Sequence, residues 1–287
     1  MGTNPDDGAA TGFSSGLSVA DFAACLAMDL EPVGLVQGFC AMQVGGLAMG
    51  LTQMGQPMGG QGGYVENYQC PHGMVGGEHR MWGQNYEQTW LEQSWSGGFT
   101  AALDRLREEA TRLGAHGVVG VVDTETSLAG AGIIEFHLRG TAVRVAGTSP
   151  TNAPWTTYLA GQRLVKLFES GFAPVSVVAV VASVRVYAYC ITEYLLGGGG
   201  LNMWSSSSSS VEIDQIVRAQ SLSRDIARSM ARAQLHGDDL QAARLDVVDR
   251  EHERGDLEIL STLRGNRVRR FRAGEALAAP QPTVRLT

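Results

Sequence analysis

The chain has 287 residues, 29 acidic against 22 basic side chains and a formal net charge of −7. That balance gives no electrostatic case for nucleic acid, because phosphate binding needs a concentrated basic surface. With 44% hydrophobic residues the length suits about two domains of roughly 100–200 residues each. No run of about 18 apolar residues occurs, so no membrane-spanning helix is expected.

Residues 1–18 are polar, Gly-rich and acidic, without the basic start and apolar stretch of a signal peptide. They read as a disordered tail. Four cysteines (Cys25, Cys40, Cys70 and Cys190) form no CxxC pair, so reduced thiols and a cytoplasmic setting are expected. A short helix is predicted over Val19–Met28, then a β-rich run from Pro32 to Val44. Gly45–Gly83 is a Gly- and Met-rich insertion whose glycines, prolines and amides disfavour a regular element. From Gln84 the pattern turns helical. Phe99, Ala102, Leu103, Leu106, Ala110 and Leu113 make one apolar stripe at three- and four-residue steps, and Gly114 supplies a stop. Val118–Val122 reads as a buried strand, Asp123–Gly132 as a turn region and Ile133–Val145 as an alternating strand.

Residues 146–161 are Pro-, Ser-, Thr- and Gly-rich, with a linker placed over 148–161. The same order of elements then returns. Leu164–Glu169 is a short helix and Pro174–Tyr189 a Val-dense strand. Gly197–Ser210 is a second, Gly/Ser-rich insertion, and Val211–Leu235 a long helix ending at His236-Gly237. Leu245–Glu251 and Asp256–Phe271 close the series. Leu30–Val33 parallels Phe172–Val175. Val121–Glu125 parallels Val247–Glu251. Leu138–Gly140 with Val143-Arg144 parallels Leu263–Gly265 with Val268-Arg269. Three matches in one order read as a tandem duplication of an α+β unit, one main helix on a short-stranded sheet. The first copy spans 19–147 and a diverged second copy 162–273, with a tail over 274–287.

Three stretches of the first copy carry a further likeness: Gly34–Gly38, Ala101–Val121 with its Leu-Gly-Ala-His-Gly-Val-Val-Gly-Val block, and Arg139–Val143. Together they resemble the YbjQ-like heavy-metal-binding family of small bacterial proteins. The resemblance implies an α+β fold, subunits that close into rings such as pentamers, and no established enzymatic activity. The second copy keeps Arg264-Gly265 and Val268 but has His236–Asp239 where the family's Gly-Ala turn belongs.

Candidate chemistry is sparse. Cys70, His72, Met74 and His79 offer thiolate, imidazole and thioether ligands that suit Cu or Zn. Their spacing matches no recognised closed site, and an incidental loop is the competing reading. Met49, Met54 and Met58, after Met42, bind Cu(I) or form an adaptable apolar contact. The second insertion shares glycines and apolar residues (Leu195, Leu196, Trp204) but little sulfur, which favours subunit contact. Asp123 with Glu125, and Asp249 with Glu251 and His252, are paired carboxylates suited to acid–base work or to solvating a turn. Tyr86–Trp90 and Trp95–Phe99 are expected to share helical faces, Trp82 precedes them, and His137 is expected to be structural. The basic run from Arg264 to Arg272 reads as a strand with a solvated face. No GxSxG, P-loop, HExxH or GxGxxG context occurs. The sequence-level expectation is a non-enzymatic, self-assembling homo-oligomer in a structural, scaffold or binding role. The alternative is a metal-binding or metal-sensing module.

Overall fold

The computed structural model describes residues 14–43, 80–128, 133–149, 151–190, 214–251 and 256–271. Ser18 caps helix α1 (Val19–Ala27) by accepting the Asp21 N–H at 3.1 Å, which satisfies one of the free donors of a helix start. Strand β1 (Leu30–Gln43) follows; β2 (Arg80–Glu87) then leads into the long helix α2 (Thr89–Arg112). β3 (Gly117–Leu128), β4 (Ile133–Val145) and the two-residue β5 (Trp155–Thr156) complete the first half. The second half runs α3 (Gly161–Glu169), β6 (Phe172–Cys190), α4 (Asp214–Leu235), β7 (Asp239–Glu251) and β8 (Leu257–Arg270). This is an α+β fold. Among the described residues no helix is long and apolar enough to cross a membrane.

The strands form two sheets, ordered β1-β4-β3-β5 and β2-β6-β8-β7. The core pairings are antiparallel; only β5 lies parallel to its neighbour, β3. The sheets share a plan down to their irregularities. β1 shifts register between Pro32 and Gly34, and β6 between Pro174 and Ser176. β3 shifts between Val119 and Val122, and β7 between Gln241 and Arg244. Val36 stands opposite Gly140, and Val178 opposite Gly265. These registers make Leu35 the counterpart of Val177, and Phe39 that of Val181.

Several sequence-level expectations need correction. Asp123 pairs with Leu138 whereas Leu245 pairs with Leu263, so the counterpart of Asp123 is Leu245, not Asp249. The Val-Val-Asp letters of the two strands therefore match out of register. Asp123–Leu128 is strand, not turn, because β3 pairs with β4 as far as Leu128↔Ile133. Residues 84–87 belong to β2 and not to the helix; Tyr86 pairs with Arg185, so it shares no helical face with Trp90. The segment read as a linker is stitched to both sheets. Thr157 N donates to Val118 O (3.0 Å), Thr157 Oγ1 to Asn266 Oδ1 (2.8 Å), and Val177 N to Thr156 Oγ1 (3.0 Å).

The main core crosses the two halves. α2 presents Ala102, Leu106 and Ala110 with Trp95 and Phe99 to one continuous cluster that holds Val36, Val118 and Leu138 of the first sheet. The same cluster takes in Val177, Ala179, Val181 and Leu260 of the second. Alternation along β6 sends the intervening residues, Val178, Val180 and Ala182, to the opposite face against Ala227 and Ala231 of α4. β6 is thus buried on both sides, which is why it reads as a continuous Val run. The layers run first sheet, α2, second sheet, α4. α1 and α3 pack at one end around Leu30, Val119, Val143, Leu164, Leu167 and Val268.

Candidate functional site

The seam between the two sheets concentrates the buried polar groups. At its head, Ser183 Oγ donates to Gln88 Oε1 at 2.7 Å and lies 3.2 Å from Glu258 Oε1, while its N–H donates to Glu92 Oε1 at 2.9 Å. Gln88, Glu92, Ser183 and Glu258 are all buried. Burial raises the Glu92 carboxyl to about 7; the Ser183 N–H opposes that shift and the neighbouring Glu87 adds to it. Lower down, Arg107 Nη2 donates to Ser176 Oγ at 2.7 Å, tying α2 to the second sheet. On the far side Arg264 meets Asp123 at 2.6 Å across the sheets. Tyr158 lies beside that pair, and burial pushes its phenol pKa upward.

The block Leu113–Val121 shows why its letters are specific. His116 Nδ1 accepts the Val145 N–H (3.1 Å), which leaves Nε2 to donate to Ser149 O (2.6 Å). A Cβ on Gly117 would stand 2.2 Å from the Trp155 ring, and Gly120 takes φ +60 within the β3 bulge. His116 is therefore a pin for the chain leaving β4, a role that sequence reasoning missed. Its position inside the glycine-rich helix-to-strand turn was the available signal.

The candidate carboxylates are committed elsewhere. Asp123 is paired with Arg264, Glu125 accepts Trp95 Nε1 at 2.8 Å, and Asp249 accepts Gln220 Nε2 at 3.2 Å. Glu251 ends β7, and His252 lies outside the described residues. Trp95 and Phe99 do stack, with centroids 5.4 Å apart. His137 is not a core residue: it is exposed and lies 4.6 Å from the Phe39 ring. Much of the basic run is neutralised internally, since Asp238 holds Arg267 (2.6 Å) and Arg269 (2.9 Å) in the second half's helix-to-strand turn. The candidate ligands Cys70, His72, Met74 and His79, and the contact residues Met49, Met54, Met58, Leu195, Leu196 and Trp204, lie outside the described residues. Among the described residues no three His, Cys, Asp or Glu side chains cluster to hold a metal ion.

What the described surface does offer is a partly uncovered sheet face, on which the Gly16 N–H donates to Thr141 Oγ1 at 3.1 Å beside Leu35. Leu35, Phe39 and Val122 are each more than 40% exposed on the side of the first sheet turned away from α2, with His137 beside them. The adjoining edge of β1 is closed by α2: Glu109 accepts the Gln37 N–H at 2.6 Å, and Arg105 donates to the Phe39 carbonyl. Strand addition at that point is blocked, so only the face is free.

Residues 42–146 match the YbjQ family model, described as "Putative heavy-metal-binding". This part of the chain is similar to that family, and the match takes in the helix, the glycine-rich block and the last strand but not Gly34–Gly38. The chain is also 30% identical over 172 residues to the encapsulin nanocompartment protein Rv1762c of Mycobacterium tuberculosis. That alignment covers 58% of this chain and 54% of the relative, so the chain spans about half the length of the curated relative it matches. No solved structure matches the chain.

Proposed function

We propose that this protein is a non-catalytic scaffold or binding protein, built by duplication of a YbjQ-like unit, that assembles with further copies of itself. One observation carries the reading. Inside the chain, α2 fills the face of the second sheet made by Val177, Ala179 and Val181, while the counterpart face of the first sheet (Leu35, Gln37 and Phe39) is left partly to solvent. A small α+β unit has a thin core and gains by covering such a face with a neighbour. The name of the mycobacterial relative supports an assembly-linked role, and a nanocompartment shell is a proposed partner on the same ground. Light scattering and native mass spectrometry across a range of concentrations test the reading. A closed homo-oligomer of defined size is expected; a persistent monomer overturns it.

A second reading is favoured by the family's description. Cys70, His72 and His79, with Met74, are its proposed ligands for Cu or Zn, since thiolate, imidazole and thioether match those ions. Metal analysis of the purified protein beside a Cys70→Ser/His72→Ala variant decides it. Bound metal lost in the variant supports the site. Near-zero metal in both ends it.

A further inference from the structure

The counterpart strands β3 and β7 differ in what lies along their outer edges. Among the described residues β7 is the last strand of the second sheet, and it is exposed along most of its length. β3 is closed at the same point by the segment around β5. Trp155 N donates to His116 O (3.1 Å) and Thr157 N to Val118 O (3.0 Å). At the bulge Gly120 N donates to Leu159 O and Val121 N to Thr157 O, both at 3.0 Å. The shared registers carry these four positions of the first half onto Asp238, Leu240, Ala242 and Ala243. The bulge keeps its backbone as well, with φ +60 at Gly120 and φ +50 at Ala242. Alanine holds that conformation only against the steric cost of its Cβ. The register of β8 passes from Gln241 to Arg244, so it assigns Ala242 and Ala243 no partner. The second sheet thus keeps a strained docking edge that no described strand uses.

The chain also carries a second version of the closing segment. Ala153-Pro154-Trp155-Thr156-Thr157 has its parallel in Ala279-Pro280-Gln281-Pro282-Thr283, with Ala, Pro and the last Thr kept. Thr283 stands one residue further from Gly265 than Thr157 does from Gly140. The differences suit the other edge. A Cβ on Gly117 would stand 2.2 Å from the Trp155 ring; β7 has Asp239 at that position, and the second segment has Gln281 in place of the tryptophan. The donors to β3 are Trp155 and Thr157, not Thr156. Pro282, which has no N–H, therefore falls where the pairing asks for none. We propose that residues 281–285, which lie outside the described residues, add to the outer edge of β7 of their own chain as a short parallel strand. Gln281 N donates to Asp238 O and Thr283 N to Leu240 O, and the Ala242 and Ala243 N–H groups go to the carbonyls of Arg285 and Thr283. The occupant is the chain's own segment because its connection from β8 matches, within one residue, the connection from β4 to β5. Such a strand closes an edge otherwise open to unwanted pairing. The inference concerns a strand edge, and it stands whether or not the sheet face of the first half mediates self-assembly.

Amide hydrogen exchange tests it at several protein concentrations. Three chains are compared: the full chain, a chain ending at residue 278, and Thr283→Pro, which removes one of the proposed donors. Circular dichroism establishes that each is folded. In the full chain the amides of Ala242 and Ala243 are expected to be protected at every concentration. Truncation and Thr283→Pro are each expected to speed their exchange about tenfold or more, while Gly120 and Val121 of β3 keep theirs. Fast exchange at Ala242 and Ala243 in the full chain shows an open edge and overturns the inference. Protection that survives both changes belongs to another strand and also overturns it. Protection that appears only at high concentration marks a second copy's segment and overturns the placement within one chain. If the truncated chain does not fold, the full chain and Thr283→Pro decide by the same criteria.

Discussion

Glu92 is the side chain on which the seam's chemistry turns. It is buried and yet accepts the Ser183 N–H, and desolvation holds its pKa near 7 instead of the ordinary 4.5. A carboxyl raised in the folded state binds its proton more tightly there than in the unfolded chain. Between about 4.5 and 7 the unfolded state has released a proton that the native state keeps, so stability falls as pH rises through that window and levels off above it. Glu92→Gln keeps the acceptor oxygen and removes the charge. Denaturant melts from pH 4 to 8 should show the wild type losing on the order of 1–2 kcal/mol that the variant retains. Parallel profiles would show that Glu92 does not titrate in the seam. Asp238 shows the opposite sign: hydrogen bonds from Arg269 and Arg267 lower its carboxyl to about 2, so its contribution persists above the ordinary carboxylate range and is lost only in strong acid.

At the scale of elements, the packing of helix on sheet is solved twice with the bulk on opposite sides. Gly38 of β1 lies under Ala102 and Leu106 of α2; its counterpart Val180 lies under Ala227 of α4. Where the strand is bare the helix supplies a leucine, and where the strand supplies a valine the helix is reduced to alanine. A Cβ on Gly38 would stand 1.9 Å from the Ala102 carbonyl oxygen and 2.7 Å from the Leu106 nitrogen. Helix backbone cannot yield as a side-chain tip does. Gly38→Ala should therefore cost about 3 kcal/mol or more, read as a lower urea midpoint at unchanged slope. A loss below about 1 kcal/mol would mean that α2 lifts from β1 freely.

The long helices and the buried Val run of β6 were legible in the sequence because their periodicities are strong and their burial is one-sided or complete. β2 was not, since Tyr86 and Glu87 run straight into a helical pattern. The β3 register misled because the Val-Val-Asp letters recur four residues further along β7, and an even slip keeps every side chain on the same face of the sheet. Thr156 and Thr157 look like linker chemistry; only their partners, Val177 and Asn266, reveal them as fasteners. Among the site residues, Trp95–Phe99 was readable from its four-residue step, whereas the outward Phe39–His137 pair depends on a sheet face that alternation alone does not orient.

For the whole molecule, the consequence of placing α2 between the sheets is that neither half owns its core. Val177, Ala179, Val181 and Leu260 share one cluster with Val36, Leu106 and Leu138, and the Asp123–Arg264 pair bridges the halves beside it. Two modules joined by a passive linker would melt as two events. A shared core predicts one transition, with calorimetric and van't Hoff enthalpies in agreement for the dissociated chain. Arg264→Met sharpens the test, because it strands Asp123, whose side chain is only 12% exposed, without its cation. The cost should be about 1–3 kcal/mol, less than for a fully buried pair because Arg264 retains solvent contact. At roughly 2–4 °C per kcal/mol for a chain of this size class, that lowers the midpoint by several degrees. The peak should move as one. If it instead splits, with one component unshifted, the halves unfold independently and the cluster between them contributes little to cooperativity.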